Sequence, residues 1–161
     1  MIIYRQGTRV DFFNIALIKS AIPEAKIIHV KRNSAATCWS NYKTYFTSDL
    51  NYCYDLEDLV SYYNLYTQLM QFWEDLFPGA IHTLNYEKLT TNQKYETKSL
   101  LNFLDLAWET ACLTPQKNNR SVRTASNIQI RKEIYKGSSE VWRSYEPFLD
   151  DAFAKLDSQD Y

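Results

Sequence analysis

The stretch KIIHVKRNSAATCWSNYKTYF, residues 26–46, decides the fold. Ile27, Ile28 and Val30 are β-branched and bounded by charge, the pattern of a short buried strand. Asn33 and Ser34 follow with side-chain oxygens that can accept from the opening amides of a helix, so the strand is expected to run directly into a capped helix. From there Ala35, Cys38, Tyr42 and Tyr45 recur at three- and four-residue steps and predict one apolar helical face, with Ser40 off that stripe beside Asn41 and Lys43. Arg32 closes the strand, and Ser40 lies about two turns along the helix. A guanidinium at a strand end, followed by a helix whose first amides are free, can hold a phosphate through charge-assisted forks and a hydroxyl donor. The same residues suit a solvated strand-end charge and an ordinary surface serine equally well, and this stretch alone does not separate the two.

Outward from that centre the chain alternates. Upstream, Ile2, Ile3 and Tyr4 are a short strand candidate stopped by Gly7 and Thr8, and FFNIALIKSAI after Asp11 reads as a helix ended by Pro23. Downstream, a polar loop over Thr47–Tyr54 leads to a long helix whose Leu56, Leu59, Val60, Tyr63, Tyr66, Met70, Trp73 and Phe77 keep helical spacing, with Asp55, Glu57 and Asp58 favouring its start. This aromatic stripe is read as core. Pro78 and Gly79 end the helix, a second strand candidate lies around Ile81–Leu84, and Tyr86 and Glu87 stand at its carboxyl end. A further helix over about residues 95–104 turns Leu100, Leu101 and Leu104 to the core, with Leu106 and Trp108 docking after it. Strands alternating with helices imply a parallel sheet, and ligands of such sheets bind at the carboxyl ends of the strands, where Arg32 and Tyr86 both lie. His29 and His82, inside strands, are read as hydrogen-bonded structural histidines rather than bases.

Bulk composition narrows the class. A chain of 161 residues is one domain by length and buries about two thirds of its unfolded surface. Thirteen Tyr, eight Phe and four Trp against three Gly and four Pro exclude disordered and collagen-like chains. A net charge of −1 argues against a general nucleic-acid or anionic-membrane binder. Cys38, Cys53 and Cys112 lack the paired spacing of a zinc or redox site and read as buried free thiols. No apolar run reaches the length of a membrane span and no signal-peptide core precedes Val10, so a reducing, cytoplasmic setting is expected.

From Arg120 the composition changes. Residues 120–143 hold Arg120, Arg123, Arg131, Lys132, Lys136 and Arg143 against Glu133 and Glu140, so positive charge is concentrated in one segment of a near-neutral chain. Such a segment can close over a phosphate-rich ligand or lie as a solvated surface loop, and charge alone leaves both open.

Four stretches together carry a resemblance: LIKSAIPEAKIIHVKRNSAATCWSNY at 17–42, YYNLYTQLMQFW at 62–73, NYEKL at 85–89 and VRTASNIQIRKEIYKGSSEVWRSYEPFL at 122–149. Two anion-binding segments separated by a helical insert resemble the sulfotransferase family that uses 3'-phosphoadenosine 5'-phosphosulfate. The likeness is nearest to bacterial domains attached to tetratricopeptide repeats, themselves similar to tyrosylprotein sulfotransferases, and runs from about Phe12 to Leu156. It implies an α/β fold, a P-loop-NTPase-like parallel sheet flanked by helices, present over residues 1–161 as a single, N-terminally incomplete and helix-rich domain. It also implies that Arg32 and Ser40 hold the 3'-phosphate, that Tyr86 meets the adenine side, and that Ser126, Gln129, Arg131, Lys132 and Tyr135 belong to a segment wrapping the nucleotide, with Lys132 near its phosphates. Arg131 and Arg143 qualify on charge alone. The implied reaction moves a sulfuryl group to an acceptor hydroxyl on a peptide tyrosine, a carbohydrate or a small molecule, without a metal, nucleic acid or membrane.

The departures are as informative. The family's Gly- and Ser/Thr-containing turn for the 5'-phosphosulfate has no substitute among Gly7, Gly79 and Gly137, and no catalytic base is assigned. Asn33-Ser34 stands where Asp-Pro is usual, GTRVDFF lacks an Asp-Lys-x-Pro pattern, and Val141 replaces a basic residue before Trp142. The expectation is therefore a nucleotide-site portion with little turnover by itself, and with self-association through exposed sheet surface. The alternatives are a catalytically dead nucleotide-binding module and a protein-interaction fragment. A P-loop kinase is disfavoured because GxxxxGK[ST] is absent.

Overall fold

Three parallel strands, β1 (Ile2–Arg5), β2 (Ile27–Lys31) and β3 (Ile81–Asn85), form a sheet in the order β1-β2-β3, with Ile2 opposite Ile27 and Ile27 opposite Ile81. The computed structural model describes residues 2–5, 11–46, 50–117, 136–149 and 151–156. Each parallel pairing needs a crossover, and helices supply it. A 3-10 turn (Asp11–Asn14) and α1 (Ile15–Ala21) connect β1 to β2, while α2 (Ser34–Tyr42) and α3 (Leu56–Leu76) connect β2 to β3. After β3 come α4 (Tyr86–Thr91) and α5 (Gln93–Phe103).

The strand alternation assigns the two faces of the sheet. Ile27 joins Leu59, Tyr63, Tyr66 and Met70 of α3 in the main core, and Phe12, Ile15, Cys38 and Cys53 close the same cluster. On the opposite face the His82 ring stacks on Phe103 of α5 at 5.1 Å. Lys26 donates to the Phe103 carbonyl at 2.7 Å and pairs with Asp105. The sheet is thus a middle layer between α3 and α5. The sequence-predicted α3 stripe is the buried one, and Asp55 caps that helix by accepting from the Glu57 and Asp58 amides at 2.8 and 3.0 Å. Gly79 ends the connection to β3 with φ +75, a left-handed conformation that suits glycine.

Several expectations need correction. α2 ends at Tyr42, where Thr44 folds back on the Asn41 and Ser40 carbonyls, so the helical period stops before Tyr45. Tyr42 is 38% and Tyr45 83% exposed, and the buried face of α2 is Ala35, Ala36 and Cys38. The polar loop before α3 contains a 3-10 turn (Asn51–Tyr54) that buries Cys53. Leu100, Leu101 and Leu104 are only half-buried, because α5 covers one side of a narrow sheet. Asp105 turns the chain outward at φ 55, leaving Leu106 51% exposed, while Trp108 is half-buried under Lys98. His29 is hydrogen-bonded as expected, but His82 is not: its Nε2 is buried without a hydrogen-bond partner among the described residues. The three cysteines are free thiols, with Cys112 half-buried rather than buried.

The described C-terminal part returns over the helices. Its 3-10 segment Val141–Phe148 stacks Tyr145 on Trp39 of α2 at 4.4 Å, and Trp142 meets Phe153 edge-on at 5.8 Å. Leu156 enters the core beside α3. This return path brings the turn at residues 137–140 to the carboxyl end of β2.

Candidate functional site at the carboxyl ends of two strands

β2 and β3 are adjacent and parallel, so the residues that follow them emerge side by side at one edge of the sheet. Arg32 leaves β2 there, and Tyr86 and Glu87 open α4 directly after β3. The Arg32 guanidinium lies 5.4 Å from the Tyr86 ring centroid, a cation-π distance. It also donates from Nε to Ser139 Oγ at 3.1 Å and from Nη2 to the Ser138 carbonyl at 2.6 Å. Ser138 Oγ donates to the Tyr86 hydroxyl at 3.1 Å. Glu87 Oε1 accepts from the Asn33 amide at 3.1 Å and from the Ser139 hydroxyl. Residues from β2, α4 and the 137–140 turn are therefore joined in one polar cluster, and Gly137 enters that turn at φ +92.

Local sequence explains the placement. Asn33 ends the strand geometry and caps α2, its Oδ1 accepting from the Ala36 amide at 2.9 Å. Asn85 does the same for α4 by accepting from the Lys88 amide at 2.8 Å. Two neighbouring strands, each ended by a capping asparagine, thereby present Arg32 and Tyr86 to one another. The expected free amides at the start of α2 are in part already engaged, Ala36 by its cap and Asn33 by Glu87.

Of the sequence-predicted site residues, Arg32 and Tyr86 meet. Ser40 is half-buried on α2, its carbonyl accepting from Thr44 at 2.6 Å, and it takes part in none of the cluster bonds just described. Ser126, Gln129, Arg131, Lys132 and Tyr135 lie outside the described residues. Arg143 pairs with Glu140 three residues earlier, which raises its pKa, and lies 5.0 Å from the Trp142 ring. Sequence reading gave no role to Glu87, Ser138 or Ser139. All three stand inside the quoted stretches NYEKL and KGSSEVW, but their contacts span 52 to 107 residues, beyond any local pattern.

A second polar feature lies on the α3 face, a cleft of about 130 Å³ bordered by His29, Lys31, Tyr66, Gln71, Glu74 and Thr83. Thr83 donates to Glu74 at 2.7 Å, so its oxygen accepts from His29 Nδ1 at 3.2 Å, and His29 Nε2 accepts from the Tyr66 hydroxyl. The ring is thus the neutral Nδ1-H tautomer, held at both nitrogens. Burial, and then the Lys31 ammonium, lower its pKa from 6.5 to about 4. This arrangement makes His29 a packing and orienting group.

Among the described residues no group of three or more His, Cys, Asp or Glu could hold a metal ion, and no helix is long and apolar enough to cross a membrane. The donor set at Arg32 suits a different ligand: a planar guanidinium for an oxyanion and an aromatic face for a flat ring.

Comparison with known proteins supplies the family. The sequence profile described as the sulfotransferase family matches residues 8–110, a range containing Arg32, Ser40, Tyr86 and Glu87. An uncharacterised protein of Aquifex aeolicus (strain VF5) is 38% identical over 142 residues, covering 86% of this chain and 19% of that protein. The chain thus spans about a fifth of the length of that relative. With a family profile over more than half its length, and a strand-to-helix arginine facing a tyrosine at the neighbouring strand end, this chain belongs to the sulfotransferase family.

Proposed function

We propose that the chain is the part of a 3'-phosphoadenosine 5'-phosphosulfate-dependent sulfotransferase that grips the 3' end of the nucleotide. The observation that carries this reading is the meeting of Arg32 and Tyr86 at the carboxyl ends of β2 and β3. Arg32 supplies charge and directed donors for the 3'-phosphate, Ser40 a hydroxyl from the neighbouring helix, and Tyr86 an aromatic surface for the adenine. Ser126, Gln129, Arg131, Lys132 and Tyr135 complete the grip in this proposal, with Lys132 toward the phosphates. The domain, over residues 1–161, belongs to the P-loop-NTPase-like architecture, and its location is cytoplasmic.

When bound, the nucleotide supplies the sulfuryl group and a phosphate leaving group for transfer to an acceptor hydroxyl. The residues of this chain bind and orient it, and fixed cations stabilise charge that develops on the leaving side. Binding without turnover is the reading for the chain alone. Gly79 precedes β3 and Gly137 belongs to the turn beside Arg32, so neither glycine forms a strand-to-helix cradle for the 5' end. The acceptor is a hydroxyl of a peptide, carbohydrate or small molecule, and self-association belongs to the same proposal.

Thermal shift tests this. At equal concentrations, 3'-phosphoadenosine 5'-phosphate raises the melting temperature by several degrees, about 4 °C for each 1–2 kcal/mol of binding in a domain of this size, and 5'-AMP raises it much less. Equal shifts with the two ligands contradict a 3'-phosphate site.

A further inference from the structure

We infer that Glu87 is a positioning residue for the 3'-phosphate site, acting on Arg32 through the Ser139 hydroxyl. The inference rests on the nucleotide reading above and concerns a carboxylate for which that reading has no role. A carboxylate beside a phosphate site opposes an anion by like charge, so its presence next to Arg32 asks for another purpose. Its contacts supply one. Oε1 accepts from both the Asn33 amide and the Ser139 hydroxyl, which disperses its charge over two donors.

The direction of these bonds carries the argument. Ser139 spends its only hydroxyl proton on Glu87, so its oxygen faces Arg32 Nε as an acceptor, and Nε donates to it at 3.1 Å. Without the carboxylate the hydroxyl is free to rotate and can point its proton at the guanidinium instead. Arg32 has several rotatable bonds, and its orientation is held here from two sides, by Ser139 Oγ with the Ser138 carbonyl and by the Tyr86 ring. The Asn33 bond fixes the start of α2, on which Ser40 stands, against the start of α4, on which Tyr86 stands. One carboxylate oxygen therefore orients the arginine and holds the start of α2, the helix that carries Ser40, the other proposed 3'-phosphate contact. Pre-ordering of this kind lowers the entropy lost when a ligand binds.

The test is a titration of 3'-phosphoadenosine 5'-phosphate and of 5'-AMP into the wild-type chain, Glu87→Ala, Glu87→Gln, Ser139→Ala and the Glu87→Ala/Ser139→Ala pair. Each variant is checked for a wild-type circular dichroism spectrum and a single melting transition. The quantity read is the ratio of the two dissociation constants, the preference for the 3'-phosphate. It is expected to fall about tenfold in Ser139→Ala and at least as far in Glu87→Ala, which also loses the Asn33 bond, and no further in the pair than in Glu87→Ala, because the Ser139 linkage is already broken there. Glu87→Gln restores most of it, since an amide oxygen can accept the same two bonds. Affinity for 5'-AMP stays near wild type throughout.

A folded Glu87→Ala that keeps the wild-type preference overturns the inference. So does an equal loss of affinity for both nucleotides, which marks a general scaffold residue, or losses in the pair that multiply, which mark independent action. If Glu87→Ala does not fold, an unchanged preference in Ser139→Ala overturns it by itself. A wild-type chain with no preference between the nucleotides refutes the 3'-phosphate site and this inference together, whereas a preference abolished by Arg32→Ala but untouched by Glu87 or Ser139 changes refutes only the inference.

Discussion

His29 and Arg32 stand three positions apart at the end of β2, and their surroundings separate a packing residue from a proposed binding one. His29 is 4% exposed and bonded at both ring nitrogens, to Tyr66 and to Thr83. Burial and Lys31 lower its folded pKa to about 4 against an ordinary 6.5, so between these values the unfolded chain binds more protons than the folded one. Stability from this group is therefore fully present above pH 6.5, is lost as pH falls toward 4, and changes little below that. The loss amounts to roughly 3 kcal/mol. Urea unfolding at several pH values is expected to show that slope in the wild type and a shallower one in His29→Gln. Tyr66→Phe, which removes the donor to Nε2, is expected to destabilise by about 1–2 kcal/mol at pH 7.5 without altering nucleotide affinity. Loss of affinity in that variant counts against the separation of packing from binding.

At the scale of elements, much of the fold was readable because the signals are local. β-branched residues between charges gave β2, Asn33 gave the cap of α2, and the stripe from Leu59 to Met70 gave the buried face of α3. Asp55→Ala removes the carboxylate oxygen that accepts from two amides at the start of α3 and is expected to lower stability by about 1 kcal/mol, while Asp55→Asn retains most of it. An Asp55→Ala variant melting at the wild-type temperature would mean the core face alone holds that turn. Elements failed where a backbone turn or a missing neighbour overrides the spacing. Tyr45 continues the α2 spacing on paper, yet Thr44 folds onto the Ser40 carbonyl and the helix is already over. Leu106 resembles a core residue until Asp105 adopts a left-handed conformation and turns it out. His82 has the same strand setting as His29 but no hydroxyl neighbour at Nε2, and its ring packs on Phe103 instead.

Across the whole molecule, the candidate site was partly readable for the same reason. Arg32 and Tyr86 each mark a strand end, and adjacency of β2 and β3 brings them together. The 137–140 turn that reaches them belongs to a segment docked through Tyr145 on Trp39 and Trp142 on Phe153, contacts that no spacing rule announces. On the proposed function, a site built from a strand end, a helix start and a returning turn binds a nucleotide without catalysing transfer. With labelled 3'-phosphoadenosine 5'-phosphosulfate and simple phenols, the chain alone is expected to show no transfer above buffer, and robust turnover would refute the binding-only reading.

The most direct measurement is a calorimetric titration of the chain with 3'-phosphoadenosine 5'-phosphate, beside 5'-AMP and the Arg32→Ala variant. Binding that requires the 3'-phosphate and weakens roughly 10- to 150-fold in Arg32→Ala, the range of a lost charged hydrogen-bond donor, is the predicted result. Equal affinity for both nucleotides, or binding unaffected by Arg32→Ala in a folded protein, would contradict a 3'-phosphate site at the end of β2.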